Sequence, residues 1–217
     1  MREVVDLMPE ARAALRNEPV QARSTARLTA LLDAAASIVD EIGFERLTTA
    51  MVAERAGASI GTVYRYFPDR IALLQALSAR NLERVLTRTA DEIADERHER
   101  WPEALDAAFS VLIDAFATEP GYRGLRVGDV IDLRPAVNDR TYNSIIAEQL
   151  FDALIARFDI PDTEEARFHF ELAIEIADAI AARAFARDPK GDRSFLQAGR
   201  DIVYPWLTAH FGPLSQE

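Results

Sequence analysis

The sequence contains no cysteine, a single lysine, three histidines and few glycine or proline residues, nine and ten among 217. Without cysteine, disulfide bonds and thiolate-based metal or redox chemistry are excluded. The glycine and proline content is well below that of disordered or turn-rich chains. Charge interrupts the apolar residues throughout, so no uncharged run reaches the roughly 18 residues of a membrane span. We therefore expect a globular, soluble and cytoplasmic protein with no membrane segment.

Charge is unevenly distributed along this acidic chain, which carries 36 acidic against 25 basic residues and a net charge of −11. Nearly all of the excess lies beyond residue 75, because residues 1–75 hold nine arginines and ten acidic residues. Residues 46–70 are locally basic, with four arginines against two acidic residues. A basic patch on an acidic protein is compatible with nucleic-acid binding, since the charge of the contact surface matters more than the total.

Apolar residues recur at intervals of three and four along nearly the whole chain, which is typical of amphipathic helices. The clearest stripe covers residues 24–42 and ends at Gly43. No segment alternates as a strand does, so we predict an all-α fold of about nine helices. They cover residues 24–42, 48–57, 59–66, 69–86, 101–119, 122–133, 136–158, 164–187 and 192–211. Pro205 lies inside the last pattern and is expected to kink or shorten that helix.

The stretch 48–70 has the pattern of a helix-turn-helix, in which a helix, a tight turn and a second short helix follow one another. Gly57 supplies the backbone freedom that the turn needs, and Ser59 can cap the following helix by accepting a backbone N–H. The second helix carries groups that suit phosphate oxygens in a DNA groove: Thr62, Tyr64, Arg65 and Tyr66. The alternative is an α-hairpin within a larger bundle, which would not need two tyrosines and an arginine there.

Residues 22–80 resemble the N-terminal domain of the TetR (tetracycline-repressor-like) family of transcriptional regulators. The resemblance is carried, in chain order, by Gly43-Phe44 after an alanine-rich helix, Thr48-Thr49, Val52-Ala53, the run AGASIGTVYRYF at 56–67 and Asp69-Arg70. Beyond residue 80 the resemblance is limited to the chain length and to the helical spacing of the apolar residues. It implies an N-terminal three-helix DNA-binding domain followed by a helical domain for ligand binding and dimerisation.

The resemblance also implies which residues contact double-stranded operator DNA. Thr48 and Thr49 would meet a phosphate at the start of the second helix, and the following helix would enter the major groove. The predicted contacts are Thr48, Thr49, Ser59, Ile60, Gly61, Thr62, Tyr64, Arg65, Tyr66 and Arg70. Ile60 departs from the family, which often has lysine there; it cannot hydrogen-bond a base and can touch only a thymine methyl. Arg23 is either an arm to the minor groove or a solvated side chain.

We divide the chain into an N-terminal arm at 1–21, a helix-turn-helix domain at 22–75 and an effector-binding and dimerisation domain at 76–217. The arm is either frayed or a docked helix. By resemblance, the expected function is that of a bacterial repressor, a homodimer that a small hydrophobic effector releases from its operator. The alternative is a DNA-binding dimer without a small-molecule effector, regulated through a protein partner.

The C-terminal helices are expected to supply the dimer interface. Residues 164–187 are apolar nearly all round and rich in alanine, and residues 195–207 have the spacing of a helical seam. Together they would form an intermolecular four-helix bundle; the alternative is a monomer that uses them for its own core. The predicted interface residues are Ala173, Ala177, Ile180, Ala181, Ala184, Phe195, Gly199, Ile202, Val203 and Trp206.

An effector cavity would draw on aromatic, apolar and a few polar residues of the C-terminal domain. The predicted set is Trp101, Phe109, Ile113, Phe116, Tyr122, Arg126, Asp129, Tyr142, Asn143, Phe151 and Glu171. For each aromatic or apolar member, packing in the core is the competing interpretation. Glu171, Glu175 and Asp178 form either an acidic wall suited to a cationic effector or a solvated or arginine-paired stripe.

The sequence gives little support to an enzyme. Its histidines, His98, His169 and His210, are far apart and lack the spacing of metal ligands. No glycine-rich phosphate loop follows a strand. We therefore expect no catalytic residues, no metal site and no cofactor.

Overall fold

The computed structural model describes residues 22–127 and 141–211. Within these ranges the chain forms nine α-helices and a short 3₁₀ turn, Phe44–Arg46, and no β-strand, which confirms the predicted all-α fold. The arm predicted at 1–21 and the Arg23 side chain lie outside the described part. The helices are α1 (Ala22–Ile42), α2 (Thr49–Arg55), α3 (Ile60–Tyr66), α4 (Arg70–Ala94), α5 (Trp101–Thr118), α6 (Tyr122–Val127), α7 (Tyr142–Ile155), α8 (Glu164–Arg187) and α9 (Arg193–Phe211).

The contacts within the chain divide it into two compact units. Among the described residues, the first unit comprises residues 22–83 and 119–127, and the second comprises residues 84–118 and 141–211. The long helix α4 therefore contributes residues to both units. The short helix α6 belongs to the first unit, together with α1, α2 and α3, although it follows α5 in the sequence.

Helix α1 forms the centre of the first unit's hydrophobic core. Its residues Leu31, Ala35 and Ile38, spaced four and three apart, are buried together with Phe67 and Leu74. Burying a large aliphatic or aromatic side chain stabilises a fold by about 1.5–3 kcal/mol. This shared core fixes α2, α3 and the beginning of α4 relative to α1.

Helix α6 lies against α1 within the same unit, and two glycines allow the close approach. A Cβ atom added at Gly121 would lie 3.1 Å from the Cα of Ala36. One added at Gly124 would lie 2.6 Å from the Val39 side chain. The Gly121 N–H also donates a hydrogen bond to the Asp40 carboxylate (3.1 Å), and burial raises the pKa of that carboxyl group. The beginning of α6 is thus held on α1 by contacts that larger residues would prevent.

Helix α8 packs against both α7 and α9 in the second unit. Its buried side is made largely of alanine: Ala166, Ala173, Ala177, Ala181 and Ala184. Next to it lies an aromatic cluster, in which the Phe151 ring is 5.5 Å from that of Phe170 and 5.7 Å from that of Phe211. Neither α8 nor another helix in the described ranges combines the length and apolarity needed to cross a bilayer.

The described helices differ from the prediction in several places; α4, for example, was predicted over residues 69–86 and continues to Ala94. The helix expected from residue 136 begins at Tyr142, because Thr141 is extended and its side chain accepts a hydrogen bond from the Ser144 N–H (3.0 Å). Pro205 does not shorten α9, which continues to Phe211. A proline leaves the carbonyl four residues earlier without its helical donor. That residue, Asp201, is exposed, so water can take the place of the donor.

Candidate DNA interface and effector cavity

The helix-turn-helix of the first unit consists of α2, a tight turn and α3, and a hydroxyl group caps each helix. The Thr48 side chain accepts the Met51 N–H (3.2 Å), and the Ser59 side chain accepts the Thr62 N–H (3.1 Å). Between the helices, Gly57 has a φ of 58°, in the left-handed region that glycine tolerates. The predicted turn at Gly57 and the predicted cap at Ser59 are both present, and they set the direction of α3.

Helix α3 has a buried side and an exposed side. Val63 is fully enclosed in the core of the unit. On the opposite side Ile60 and Tyr64, one helical turn apart, are 43% and 44% exposed, and their neighbours Gly61 and Arg65 are exposed as well. Two large exposed hydrophobic residues on one short helix point to a contact surface for a partner.

Tyr66 does not fit the phosphate contact predicted for it. Its side chain is 2% exposed, and its hydroxyl lies 2.9 Å from the Ser24 Oγ of α1. The reason is helical period, because residue 66 follows the buried Val63 by three positions and so turns to the same side. The Arg65 guanidinium lies over the Tyr66 ring, 5.4 Å from its centre. Tyr66 therefore joins α3 to α1 inside the unit.

Tyr64 connects the exposed side of α3 to the beginning of α2. The Thr49 hydroxyl donates a hydrogen bond to the Tyr64 hydroxyl oxygen at 3.3 Å. Because Tyr64 accepts in this bond, its own phenol proton remains to be donated. A phosphate oxygen of DNA is an acceptor that this exposed group can reach.

The arginines of the basic segment 46–70 have different surroundings. Arg55 donates two hydrogen bonds to the Glu41 carboxylate (2.5 and 2.7 Å), which compensates its charge and lowers the pKa of Glu41. Arg70 donates instead to the backbone carbonyls of Phe44 and Glu45 (3.3 and 2.9 Å), which carry no charge. Arg70 is thus a positioned cation beside the 3₁₀ turn, which suits a phosphate contact.

The second unit contains a small cavity between α5, α8 and α9. Its volume is about 30 Å³, which is room for about two water molecules. The lining residues are Leu105, Phe109, Phe170, Ala173, Ile174, Ala177, Gly199, Arg200, Val203, Tyr204 and Leu207. Of the residues predicted to bind an effector, Phe109 lines this cavity. The mostly apolar lining suits an apolar ligand.

A polar network lies beside this cavity. The Tyr204 hydroxyl donates to the Asp106 carboxylate (2.8 Å), and burial together with this carboxylate raises the pKa of Tyr204. The Arg200 guanidinium lies 3.1 Å from the same carboxylate oxygen, donates to the Ser110 hydroxyl (2.9 Å) and lies over the Phe109 ring. Sequence reasoning missed Arg200 and Tyr204 because their partners are 90 or more positions away.

None of the other predicted effector residues that the structure describes lines this cavity. Three are packed in the core of the second unit: Trp101, Phe116 and Phe151. The Phe116 ring, for example, stacks on that of Phe185 with 4.8 Å between centroids. Tyr122 is buried in the first unit. Ile113 and Arg126 are partly exposed, and Asp129 and the side chain of Tyr142 lie outside the described residues. Apolar periodicity identifies buried residues, but it does not distinguish core from cavity.

The acidic residues of α8 fit the solvated interpretation at Glu171 and Glu175, which are exposed, and two of the trio also bind a side chain of α7. The buried Asn143 donates its side-chain amide to Glu175 (2.8 Å) and to Asp178 (3.2 Å). Glu171, the member of the trio predicted to hold an effector, is exposed. Two of the three carboxylates therefore fix a buried amide of α7 on α8.

Part of the predicted dimer interface is wrong. Six of its residues are buried within a single chain: Ala173, Ala177, Ala181, Ala184, Gly199 and Val203. Side chains that are already enclosed cannot contact a second copy. They are enclosed because α8 packs on both α7 and α9; on the α9 side, a Cβ atom added at Gly199 would lie 3.1 Å from the Ile180 side chain. Ile180 and Phe195 are partly exposed, whereas Ile202 and Trp206 are exposed.

Large hydrophobic residues are nevertheless exposed on these two helices. Phe168 of α8 is 61% exposed, and Ile202 and Trp206 of α9 are 52% and 37% exposed; we call these three residues the α8–α9 apolar face. Beside it the rings of His169 and His210 are in contact, with centroids 3.5 Å apart. The packing of α8 on α9 thus brings together two histidine rings that are far apart in the sequence. No group of three metal-binding side chains occurs in the part of the chain that the structure describes.

Two family models match this chain. The model of the bacterial regulatory proteins of the tetR family matches residues 31–77, which include α2 and α3. The model of the tetracyclin repressor-like C-terminal domain matches residues 99–211, more than half of the chain. The chain belongs to the TetR family. Proteins of this family are bacterial regulatory proteins rather than enzymes, and the KstR relatives are named as transcriptional repressors.

Similar TetR proteins match different shares of the chain. The HTH-type transcriptional repressor KstR of Rhodococcus jostii is 41% identical over 58 residues, which are 27% of this chain and 27% of KstR. A solved TetR-family regulator from Streptomyces coelicolor is 29% identical with a TM-score of 0.71, covering 85% of this chain and 99% of that one. RolR, solved in complex with resorcinol, shares the fold at 21% identity and a TM-score of 0.57, covering 90% and 99%. The chain spans about a quarter of the length of the KstR sequences it matches.

Proposed function

We propose that this TetR-family protein is a transcriptional repressor that binds a pseudo-palindromic operator in double-stranded DNA through α3. The observation that carries the proposal is the two-sided α3, which is anchored in the core by Val63 and leaves Ile60, Tyr64 and Arg65 at the surface. A helix fits the major groove of B-DNA, which is about 12 Å wide. The Ser59 cap fixes the angle at which this helix would enter.

Contacts to the DNA backbone hold the helix in register. Tyr64 retains a phenol proton for a phosphate, Arg70 is a positioned cation, and Thr48 lies exposed at the beginning of α2. Such contacts position a protein on DNA without reading its sequence. In this assignment residues 22–75 bind DNA in the cytoplasm, and residues 76–217 carry regulation and assembly.

The repressor acts as a homodimer. The α8–α9 apolar face supports this assignment, because covering exposed residues as large as Phe168 and Trp206 with a second copy removes apolar surface from water and so favours dimerisation. A two-fold dimer presents two copies of α3. It matches half-sites one helical turn of DNA apart, about 34–36 Å.

A small apolar effector releases the operator by binding in the second unit. The cavity beside Phe109 and Phe170 supports this step, as does the structure of RolR with resorcinol, a protein of the same fold. An effector that prefers the DNA-free form would couple the two sites by about 1–3 kcal/mol. Since the volume of the cavity is sufficient for only about two water molecules, an effector would have to widen it on binding.

The small volume of this cavity favours a second candidate function, a DNA-binding dimer regulated through a protein partner rather than through an effector. The two candidates differ in their response to small molecules. A screen for compounds that raise the melting temperature and release bound DNA separates them. The first candidate predicts such compounds, and the second predicts none.

Operator selection tests the DNA-binding function itself. The full chain is incubated with random-sequence duplexes, the bound fraction is amplified over several rounds, and the enriched sequences are footprinted. We expect an inverted repeat whose half-sites are protected, and repression of a reporter promoter that carries it. Failure to enrich any sequence above the starting library would refute the proposal.

A further inference from the structure

Two neighbouring residues on the exposed side of α3 are not explained by the folding of this chain. Ile60 is a large aliphatic side chain left in contact with water. Gly61 lies in the helix, where glycine is less favourable than alanine. Packing does not require the glycine, because a Cβ atom added there would meet the Ser59 hydroxyl at 3.8 Å, an ordinary contact. We therefore explain both residues by contact with a molecule outside the chain.

The polar groups next to Ile60 bind each other. The Ser59 hydroxyl accepts the Thr62 N–H (3.1 Å) and lies 2.9 Å from the Thr62 hydroxyl. One turn further along α3, the Tyr64 hydroxyl accepts the bond from Thr49. Ile60 is thus the side chain that this end of α3 presents without an internal hydrogen bond, and it offers apolar surface.

The geometry points to a direct reading of thymine: Ile60 contacts the C5-methyl group of a thymine in each half-site, and Gly61 lets the backbone of α3 approach that base closely. This inference rests on the proposed function, because α3 must first bind DNA. The thymine methyl is the apolar group that base pairs display in the major groove. Isoleucine has no donor or acceptor, so the methyl group is what it can recognise there.

Removing that one methyl group from the DNA should therefore weaken binding. Burial of a single carbon group corresponds to about a fourfold change in affinity. With one such thymine in each half-site, an operator that lacks both methyl groups should bind about fifteenfold more weakly. Deoxyuridine is a suitable probe, because it lacks the methyl group and keeps every hydrogen-bonding group of thymine.

The experiment uses the full chain and an operator selected from random-sequence duplexes. Thymines of the two half-sites are replaced by deoxyuridine one symmetric pair at a time, and dissociation constants are measured by fluorescence anisotropy. We expect one symmetric pair to give the fifteenfold loss with the wild type. Ile60→Ala should bind the thymine and deoxyuridine operators equally at that pair, and Ile60→Val should retain part of the difference.

The Ile60 variants should fold as the wild type does, because Ile60 is exposed. Thermal melts check that they do. Indifference of the wild type to deoxyuridine at every position would overturn the inference, as would an undiminished effect in Ile60→Ala. Either result leaves the proposed function standing if the selected operator is bound specifically. If no operator can be selected, the proposed function fails and the inference fails with it.

Gly61→Ala tests the close approach separately. The added methyl group has space within the chain and favours the helix, so the melting temperature should stay the same or rise. We expect operator affinity to fall at least tenfold, because the methyl group would hold the backbone away from the base. Unchanged affinity in this variant would contradict the role assigned to Gly61.

Discussion

Replacing Trp206 by aspartate is expected to separate the proposed homodimer into monomers. Trp206 is 37% exposed in the single chain, and covering that part of a side chain of roughly 250 Å² removes about 90 Å² from water. At about 25 cal/mol per Å² this stabilises the dimer by about 2 kcal/mol per chain. An unpaired buried carboxylate costs about 3 kcal/mol more. A two-fold interface contains the lost burial of Trp206 and the buried carboxylate twice each. The free energy of dimer association should therefore become roughly 10 kcal/mol less favourable.

Analytical ultracentrifugation at micromolar concentration measures this change. The wild type should sediment near 48 kDa, about twice the chain mass of 24.2 kDa, and Trp206→Asp near the chain mass. Thr208→Asp places the same charge at an exposed position of α9 outside the apolar face, and it should remain a dimer. Circular dichroism melts check that both variants fold. A folded Trp206→Asp protein that still dimerises would refute the assignment of the α8–α9 apolar face.

Three further changes test the DNA contact, the cavity and the buried tyrosine. Arg70→Ala should weaken binding about equally for all duplexes and lower the salt slope by about one; anisotropy titrations at several salt concentrations measure this, and an altered base preference would contradict it. Phe109→Gln should abolish the thermal shift caused by any compound that releases the wild type from its operator, and a retained shift would place the effector elsewhere. The raised pKa of Tyr204 keeps its proton on the folded chain after the unfolded chain has released it near pH 10. Stability should therefore fall above that pH by up to about 1.4 kcal/mol per pH unit. Urea denaturation at about pH 9 to 11 should show a smaller fall for Tyr204→Phe, and an equal fall would contradict the assignment.

Local sequence signals predicted the helix-turn-helix well because its determinants lie a few positions apart. The caps at Thr48 and Ser59 each bind a backbone N–H three residues later, and the turn depends on Gly57. Tyr66 shows where residue type and the family resemblance both misled. Its spacing of three from Val63 already indicated the buried side of α3, and that period was the better guide.

The second unit was harder to predict because its contacts join distant parts of the chain. The alanines of α8 indicate close helix packing, but composition cannot say whether the neighbour is the chain's own α9 or a second copy. In the structure those alanines are buried within the single chain, where α8 packs on α7 and α9, and Ile202 and Trp206 are exposed. The cavity likewise depends on the register between α5, α8 and α9, which periodicity within one helix does not contain.

Sequence-specific binding through α3 is measured most directly by comparing the selected operator with a scrambled duplex of the same composition. At physiological salt the wild type should bind the operator at least about 10³-fold more tightly. A folded variant with Ile60, Tyr64 and Arg65 all replaced by alanine should bind both duplexes alike. Equal affinity of the wild type for the two duplexes, or an undiminished preference in the triple variant, would contradict the assignment of α3 as the helix that reads DNA.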